Sequence, residues 1–214
     1  MYKVDYALMY VTDDSITDDT AFFKILEDAL KGGTSIIQLR EKSCNTLSFY
    51  NRALKTKYLC RAYGVPLIIN DRIDIALAVD AAGVHIGQTD MPYSKARALL
   101  GATKIIGLSI SNTEQAIGAE NLKVDYIGIS PIFNTSTKKS DLAPSLGIEG
   151  LKMIRPLFSK PIVCIGGIQK KNVADIIKNG ANGVAVISAI SKAEYPEEET
   201  KNLKEIICQT GLIP

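Results

Sequence analysis

The sequence predicts an α/β fold, a single closed (β/α)8 barrel of the TIM-barrel type spanning residues 1–214, and three observations predict it. Short apolar runs alternate with helical stripes eight times along the chain. The runs look buried on both faces, as parallel strands covered on each side require. No linker, low-complexity tract or change of composition interrupts them. A length of 214 residues lies at the low end of the range for such barrels and suffices for one large core. An open doubly wound sheet is the nearest alternative, and eight consecutive short βα units favour closure.

In order, Tyr6 to Val11 is an apolar strand closed by Thr12-Asp13-Asp14. Phe22-Phe23, Leu26 and Leu30 carry a helical stripe that stops at Gly32-Gly33. Ser35 to Leu39 is the second strand, and Thr46 to Tyr63 a long helix ended by Gly64-Val65-Pro66. Leu67 to Ile69 is a branched apolar run; Ile73, Ala76 and Leu77 then recur at helical spacing before the fourth strand, Gly83 to Gly87. Helix Pro92 to Leu100, strand Lys104 to Ser109, helix Asn112 to Glu120 and strand Tyr126 to Ile129 continue the rhythm. Residues 130–146 form the longest stretch without periodicity, and loops of that length in compact domains are usually functional. Helix Ile148 to Leu157, strand Pro161 to Ile165, helix Asn172 to Asn179, strand Gly183 to Ile187 and helix Glu197 to Cys208 complete the chain.

Composition narrows the function. A net charge of +2, with no basic patch interleaved with aromatics, argues against nucleic acid or an anionic membrane as partner. No apolar run approaches the ~20 residues of a membrane span, and the first residues lack a secretion-signal layout, so a cytoplasmic location is expected. The four cysteines are widely spaced without a CxxC, and the chain has one histidine, His85, so a zinc site or disulfide framework is not expected. Homo-oligomerisation is left open.

In such a barrel the C-terminal strand ends share one rim, where an active site is expected. That rim would carry Gln38, Arg40 and Lys42 after strand two, and Asn70 and Asp71 after strand three. His85, Gln88 and Asp90 would follow strand four, Ser109 strand five, and Thr135, Thr137 and Lys138 strand six. His85 reads as a satisfied strand residue rather than a base. Asp71 and Asp90 would emerge together, a pair that suits magnesium with its other positions left to water or phosphate. Each aspartate reads equally well as a helix cap, Asp71 for the helix after it and Asp90 for the one begun by Pro92. The small-residue turns Gly166-Gly167 and Ile187-Ser188 lie where barrels of this type hold a monophosphate with main-chain N–H groups. Cations and paired carboxylates beside a neutral phosphate cradle suggest two phosphorylated substrates, one of them a metal-bridged diphosphate.

The motifs QLREK at 38–42, IIND at 68–71, GVHIGQTDMP at 83–92, GLS at 107–109, IGISPIFNTSTK at 127–138, CIGGI at 164–168 and AVISAI at 185–190 are similar to those of thiamine phosphate synthases. The likeness covers nearly the whole chain in order. It implies a transferase that condenses 4-amino-2-methyl-5-hydroxymethylpyrimidine diphosphate with 4-methyl-5-(2-hydroxyethyl)thiazole phosphate, with magnesium as cofactor. The resemblance further implies that Gln38, Leu39, Arg40, Glu41, Lys42 and Asn70 hold the pyrimidine diphosphate, and Asp71 and Asp90 the metal. Ser109 and Lys138 would contact the diphosphate, and Arg40 and Lys42 would join them in stabilising the leaving group. Thr135, Ser136, Thr137, Gly167, Ile187 and Ser188 would hold the thiazole phosphate. A tautomerase-like relative and a non-catalytic regulatory barrel are the rivals, and neither has a chemical need for the diphosphate half.

Overall fold

The computed structural model describes residues 4–135 and 144–210. Its eight strands are β1 (Leu8–Val11), β2 (Ile36–Leu39), β3 (Leu67–Asn70), β4 (Gly83–Ile86), β5 (Ile105–Ile110), β6 (Tyr126–Ile129), β7 (Ile162–Ile165) and β8 (Gly183–Val186). Each pairs in parallel with the next, and β8 closes on β1 through Leu8 opposite Val184, so the sheet is a complete barrel. The expected fold class is the observed one. Helices α1 (Asp19–Lys31), α2 (Thr46–Ala62), α3 (Ile73–Ala78), α4 (Tyr93–Leu100), α5 (Thr113–Leu122), α6 (Gly147–Ile154), α7 (Lys170–Lys178) and α9 (Pro196–Gln209) fill the crossovers and the end of the chain.

A further helix, α8 (Ser188–Ser191), follows β8 directly where the sequence had suggested only a turn. Four residues are too few to present a periodic stripe, which is why it was not foreseen. Local signals mark other helix starts: Asp18 accepts from the Ala21 N–H at 2.7 Å, Asn45 from Ser48 at 2.9 Å and Asn112 from Gln115 at 2.8 Å. Among the described residues no helix is long and apolar enough to cross a membrane.

The two-residue period of the strands sorts side chains into two apolar layers. Leu8, Tyr10, Ile37, Leu39, Ile69, Val84, Ile127 and Val184 point outward and pack beneath the helices. Met9, Val11, Ile36, Ile68, Tyr126, Val163 and Ala185 fill the barrel itself. This is why each strand reads as a continuous apolar run. Towards the C-terminal rim the inward positions turn polar, and Gln38, Asn70, His85 and Ser109 line the cleft above the apolar plug.

Candidate active site

The rim encloses a cleft of about 740 Å³, reaching from Gln38 and Asn70 to Gly167 and Ser188, large enough for a small-molecule ligand. One side of it is charged. Arg40, just past β2, pairs with Asp14 of the loop after β1 at 2.8 Å. Lys42 pairs with Asp71, and the Asp90 carboxyl lies within hydrogen-bonding reach of the Asp71 carboxyl. Asp90 also accepts from the Gly87 N–H at 2.6 Å, which fixes its direction. Burial pushes the Asp71 carboxyl above the usual carboxylate range; the Lys42 ammonium works against that, and the adjoining Asp90 adds to it.

Neither aspartate caps a helix. Asp71 sits in left-handed backbone, φ 62°, with its N–H donated to the His85 carbonyl at 2.8 Å. That kink makes Arg72 the residue preceding α3, which has no side-chain cap, and Pro92 precedes α4 in the same way. The cap reading is therefore overturned for both, and the kink has a different result: it turns the Asp71 carboxylate into the cleft. Among the described residues no three His, Cys, Asp or Glu side chains gather as a ready-made metal cage.

The opposite side is built from turns. Gly166 and Gly167 follow β7 with φ of 108° and 63°, and the Asn172 amide holds the Gly167 carbonyl at 3.0 Å. A Cβ on Gly167 would lie 2.6 Å from the Asn134 carbonyl, so the turn itself, and not only an anion in front of it, requires glycine. Ile187 and Ser188 carry the chain from β8 into α8 and line the cleft. Asp13 ties this side to β1, accepting from Ser15 Oγ at 2.6 Å and from Ser191 Oγ of α8 at 2.8 Å. Thr135 lines the mouth; Ser136, Thr137 and Lys138 lie outside the described residues.

Two residues of the QLREK run do not reach the cleft. Leu39 is fully buried in the layer beneath the helices, because strand alternation turns it away from Gln38 and Arg40. Glu41, its side chain 4% exposed, faces Arg52 of α2 at 2.7 Å, and Arg52 also holds Asp19 at 2.6 Å. Glu41 thus anchors the loop that presents Arg40 and Lys42.

At the floor of the cleft His85 is hydrogen-bonded through both ring nitrogens, to Tyr126 Oη and Ser109 Oγ at 2.8 Å each. Burial lowers its pKa to about 4, with the Asp90 charge working the other way, so the ring is neutral at physiological pH. Gln88 donates to the Ser109 carbonyl at 2.6 Å. Asp14 and Tyr126 went unforeseen as site residues: Asp14 is one of several aspartates ending strands, and Tyr126 reads as a strand residue.

A family model described as thiamine monophosphate synthase matches residues 8–190, the whole span from β1 into α8. The chain belongs to that family. It is 46% identical over 207 residues to the thiamine-phosphate synthase of Clostridium acetobutylicum, covering 97% of each chain. It is 46% identical over 203 residues to that of Methanobrevibacter smithii, covering 95% of this chain and 96% of the relative. Among solved structures, a thiamine phosphate pyrophosphorylase from Pyrococcus furiosus superposes with a TM-score of 0.87 at 34% identity, covering 97% of this chain and 98% of that one. As a thiamine monophosphate synthase family member the chain is an enzyme, a transferase, and the regulatory-barrel rival is set aside.

Proposed function

We propose that this enzyme joins the pyrimidine diphosphate to the thiazole phosphate, yielding thiamine phosphate and free diphosphate. The observation that carries this reading is the division of one cleft into two halves: Arg40, Lys42, Asp71 and Asp90 on one side, the Gly166-Gly167 and Ile187-Ser188 turns on the other. The C–O bond of the pyrimidine methylene breaks with its electron pair going to the diphosphate. The thiazole nitrogen lone pair then forms the C–N bond, and no proton needs to move. A neutral, doubly hydrogen-bonded His85 is consistent with chemistry that needs no base.

Arg40, Lys42 and the Ser109 hydroxyl line the half of the cleft assigned to the leaving group, Lys138 is assigned to the same charge by the motif it belongs to, and one such preorganised contact is worth about 3–4 kcal/mol in other enzymes. Two of these cations are held by carboxylates, Arg40 by Asp14 and Lys42 by Asp71, so they stand ready at the rim. Asn70 and Gln38 orient the pyrimidine, and Thr135 to Thr137 with the two turns hold the thiazole phosphate, so that the rings meet across the cleft. Two adjoining carboxylates, one with its charge disfavoured by burial and by its neighbour, fit a divalent cation, and we assign Asp71 and Asp90 to magnesium. When bound, magnesium supplies positive charge beside the diphosphate. In this reading the enzyme acts on small molecules in the cytoplasm.

The test is a coupling assay with both substrates, with and without magnesium; saturating substrates that give no product would leave the tautomerase-like reading instead. A mutation series probes the loop. Lys138→Ala is expected to lower kcat about 10²-fold, more than it raises KM, as loss of a transition-state contact does. Its neighbour Lys139→Ala serves as control, and equal damage from both would remove Lys138 from the leaving-group set.

A further inference from the structure

Four side chains run in hydrogen-bond sequence through the barrel interior, from Gln38 on β2 through Tyr126 and His85 to Ser109 on β5. The Gln38 amide nitrogen contacts Met9 Sδ at 3.2 Å, and the Gln38 side chain interacts with the Tyr126 phenol in the sense that favours the ionised phenol. Tyr126 Oη meets His85 Nδ1, and His85 Nε2 meets Ser109 Oγ, both at 2.8 Å. Tyr126, Gln38 and His85 are 1%, 5% and 8% exposed, so the middle of the chain has little access to water and its partners must satisfy one another. The sheet is hollowed to admit the rings: a Cβ on Gly107 would lie 2.1 Å from Tyr126 Cζ, and one on Gly128 2.9 Å from His85 Cε1.

Each bond in the series sets the direction of the next. An interaction that favours the ionised phenol is one in which the phenol oxygen accepts, so Gln38 donates to Tyr126 as it does to the Met9 sulfur. The phenol then has its own hydrogen to give to Nδ1. A neutral imidazole carries one N–H, so that hydrogen is on Nε2 and goes to the Ser109 oxygen. The Ser109 hydrogen is left to leave the series at its half-exposed end, in the cleft.

We propose that His85 is a positioning residue: Gln38 and Tyr126 hold it as the Nε2–H tautomer, and this fixes Ser109 as a hydrogen-bond donor towards the anionic half of the cleft. The proposal deepens the assignment of Ser109 to the diphosphate and rests on it. An acceptor anion is served by a serine whose hydrogen is free to turn towards it, whereas the opposite tautomer would draw that hydrogen back to the ring.

His85 is the chain's one histidine, so long-range ¹H–¹⁵N spectra of the tag-free protein report its tautomer alone. The Nε2–H pattern is expected in the unaltered enzyme at neutral pH, a measurement that depends on no variant. In Tyr126→Phe the donor to Nδ1 is gone, and the spectrum is expected to shift towards the Nδ1–H form. Its kcat is expected to fall about tenfold or more, as loss of an orienting partner does elsewhere, with KM for the thiazole phosphate unchanged. The double variant with Ser109→Ala is expected to be no worse than Ser109→Ala alone. An Nδ1–H pattern in the unaltered enzyme, or fully additive losses, overturns the positioning role while leaving the diphosphate contact standing. A Ser109→Ala enzyme with unchanged kcat overturns both.

Discussion

Asp71→Asn is expected to lower kcat/KM by about 10²-fold or more while leaving the melting temperature at or above that of the unaltered enzyme. The two effects have one cause. The folded-state pKa of Asp71 is raised by burial, with Lys42 opposing and Asp90 adding to the rise. The native state therefore binds this proton more tightly than the unfolded chain does. Stability falls as pH climbs from the unfolded carboxylate value, about 3.9, through the raised native one, so at neutral pH the charge is a net cost. Asparagine keeps the shape, removes the charge and tolerates a φ of 62°, where alanine would add strain. Lys42, 47% exposed, is resolvated when its partner becomes neutral. Asp90→Asn relieves the same repulsion from the other side.

If Asp71 and Asp90 hold one magnesium–diphosphate unit, the first loss removes most of what the second could. Should each single cost about 3 kcal/mol of transition-state stabilisation, the double would cost well under the ~6 kcal/mol of independent sites. Raised magnesium would partly restore the singles by mass action. Kinetic cycles across a magnesium series, with melting curves on the same four proteins, check both halves. Additive kinetic losses with an unaltered magnesium response would remove the metal assignment.

The barrel was legible because parallel strands buried on both faces leave apolar runs that little else explains, and because glycine, proline and asparagine punctuate most of the crossovers. Boundaries moved where the signal was weak. The first strand opens at Leu8 rather than Tyr6, and α7 opens at Lys170 because Asn172, read as the start, reaches back to the Gln169 N–H at 2.9 Å from inside the first turn. In the site, alternation along QLREK could have separated Gln38 and Arg40 from Leu39, since neighbouring strand residues face opposite ways. Nothing local marks Glu41 as the partner of Arg52, because that pairing is made between elements.

Asp71 is the instructive case. From composition alone a helix cap and a metal ligand are equally served by an aspartate after a strand, and the left-handed kink, invisible in the sequence, is what removes the cap reading. The Gln38–Tyr126–His85–Ser109 series was illegible for a related reason: it depends on register around the barrel, with Asn70 opposite His85, His85 opposite Gly107 and Ser109 opposite Gly128. Each member seen singly is an ordinary strand residue.

Gly107→Ala tests the centre of that arrangement and is expected to be strongly destabilising. The new Cβ would stand 2.1 Å from Tyr126 Cζ and 2.5 Å from its hydroxyl oxygen. The ring has little room to retreat: it lies 5.1 Å from the Tyr6 ring and 5.4 Å from the His85 ring, centroid to centroid. Overpacking a filled core costs about 1–3 kcal/mol, and a displaced phenol that loses its bond to His85 adds about 1 kcal/mol. For a chain of this size a loss of about 3 kcal/mol lowers the melting temperature by roughly 6–12 °C. The cause is steric, so it has a specific rescue. Tyr126→Leu shortens the opposing side chain, and the Gly107→Ala/Tyr126→Leu double is expected to melt above the Gly107→Ala single. Activity separates from stability here, because the double still lacks the phenol that orients His85 and its kcat stays low although the fold recovers. A Gly107→Ala protein that melts like the unaltered one, or a double that melts below the single, would mean that Tyr126 does not fill the barrel opposite Gly107, and the hydrogen-bond series through it would lose its middle member.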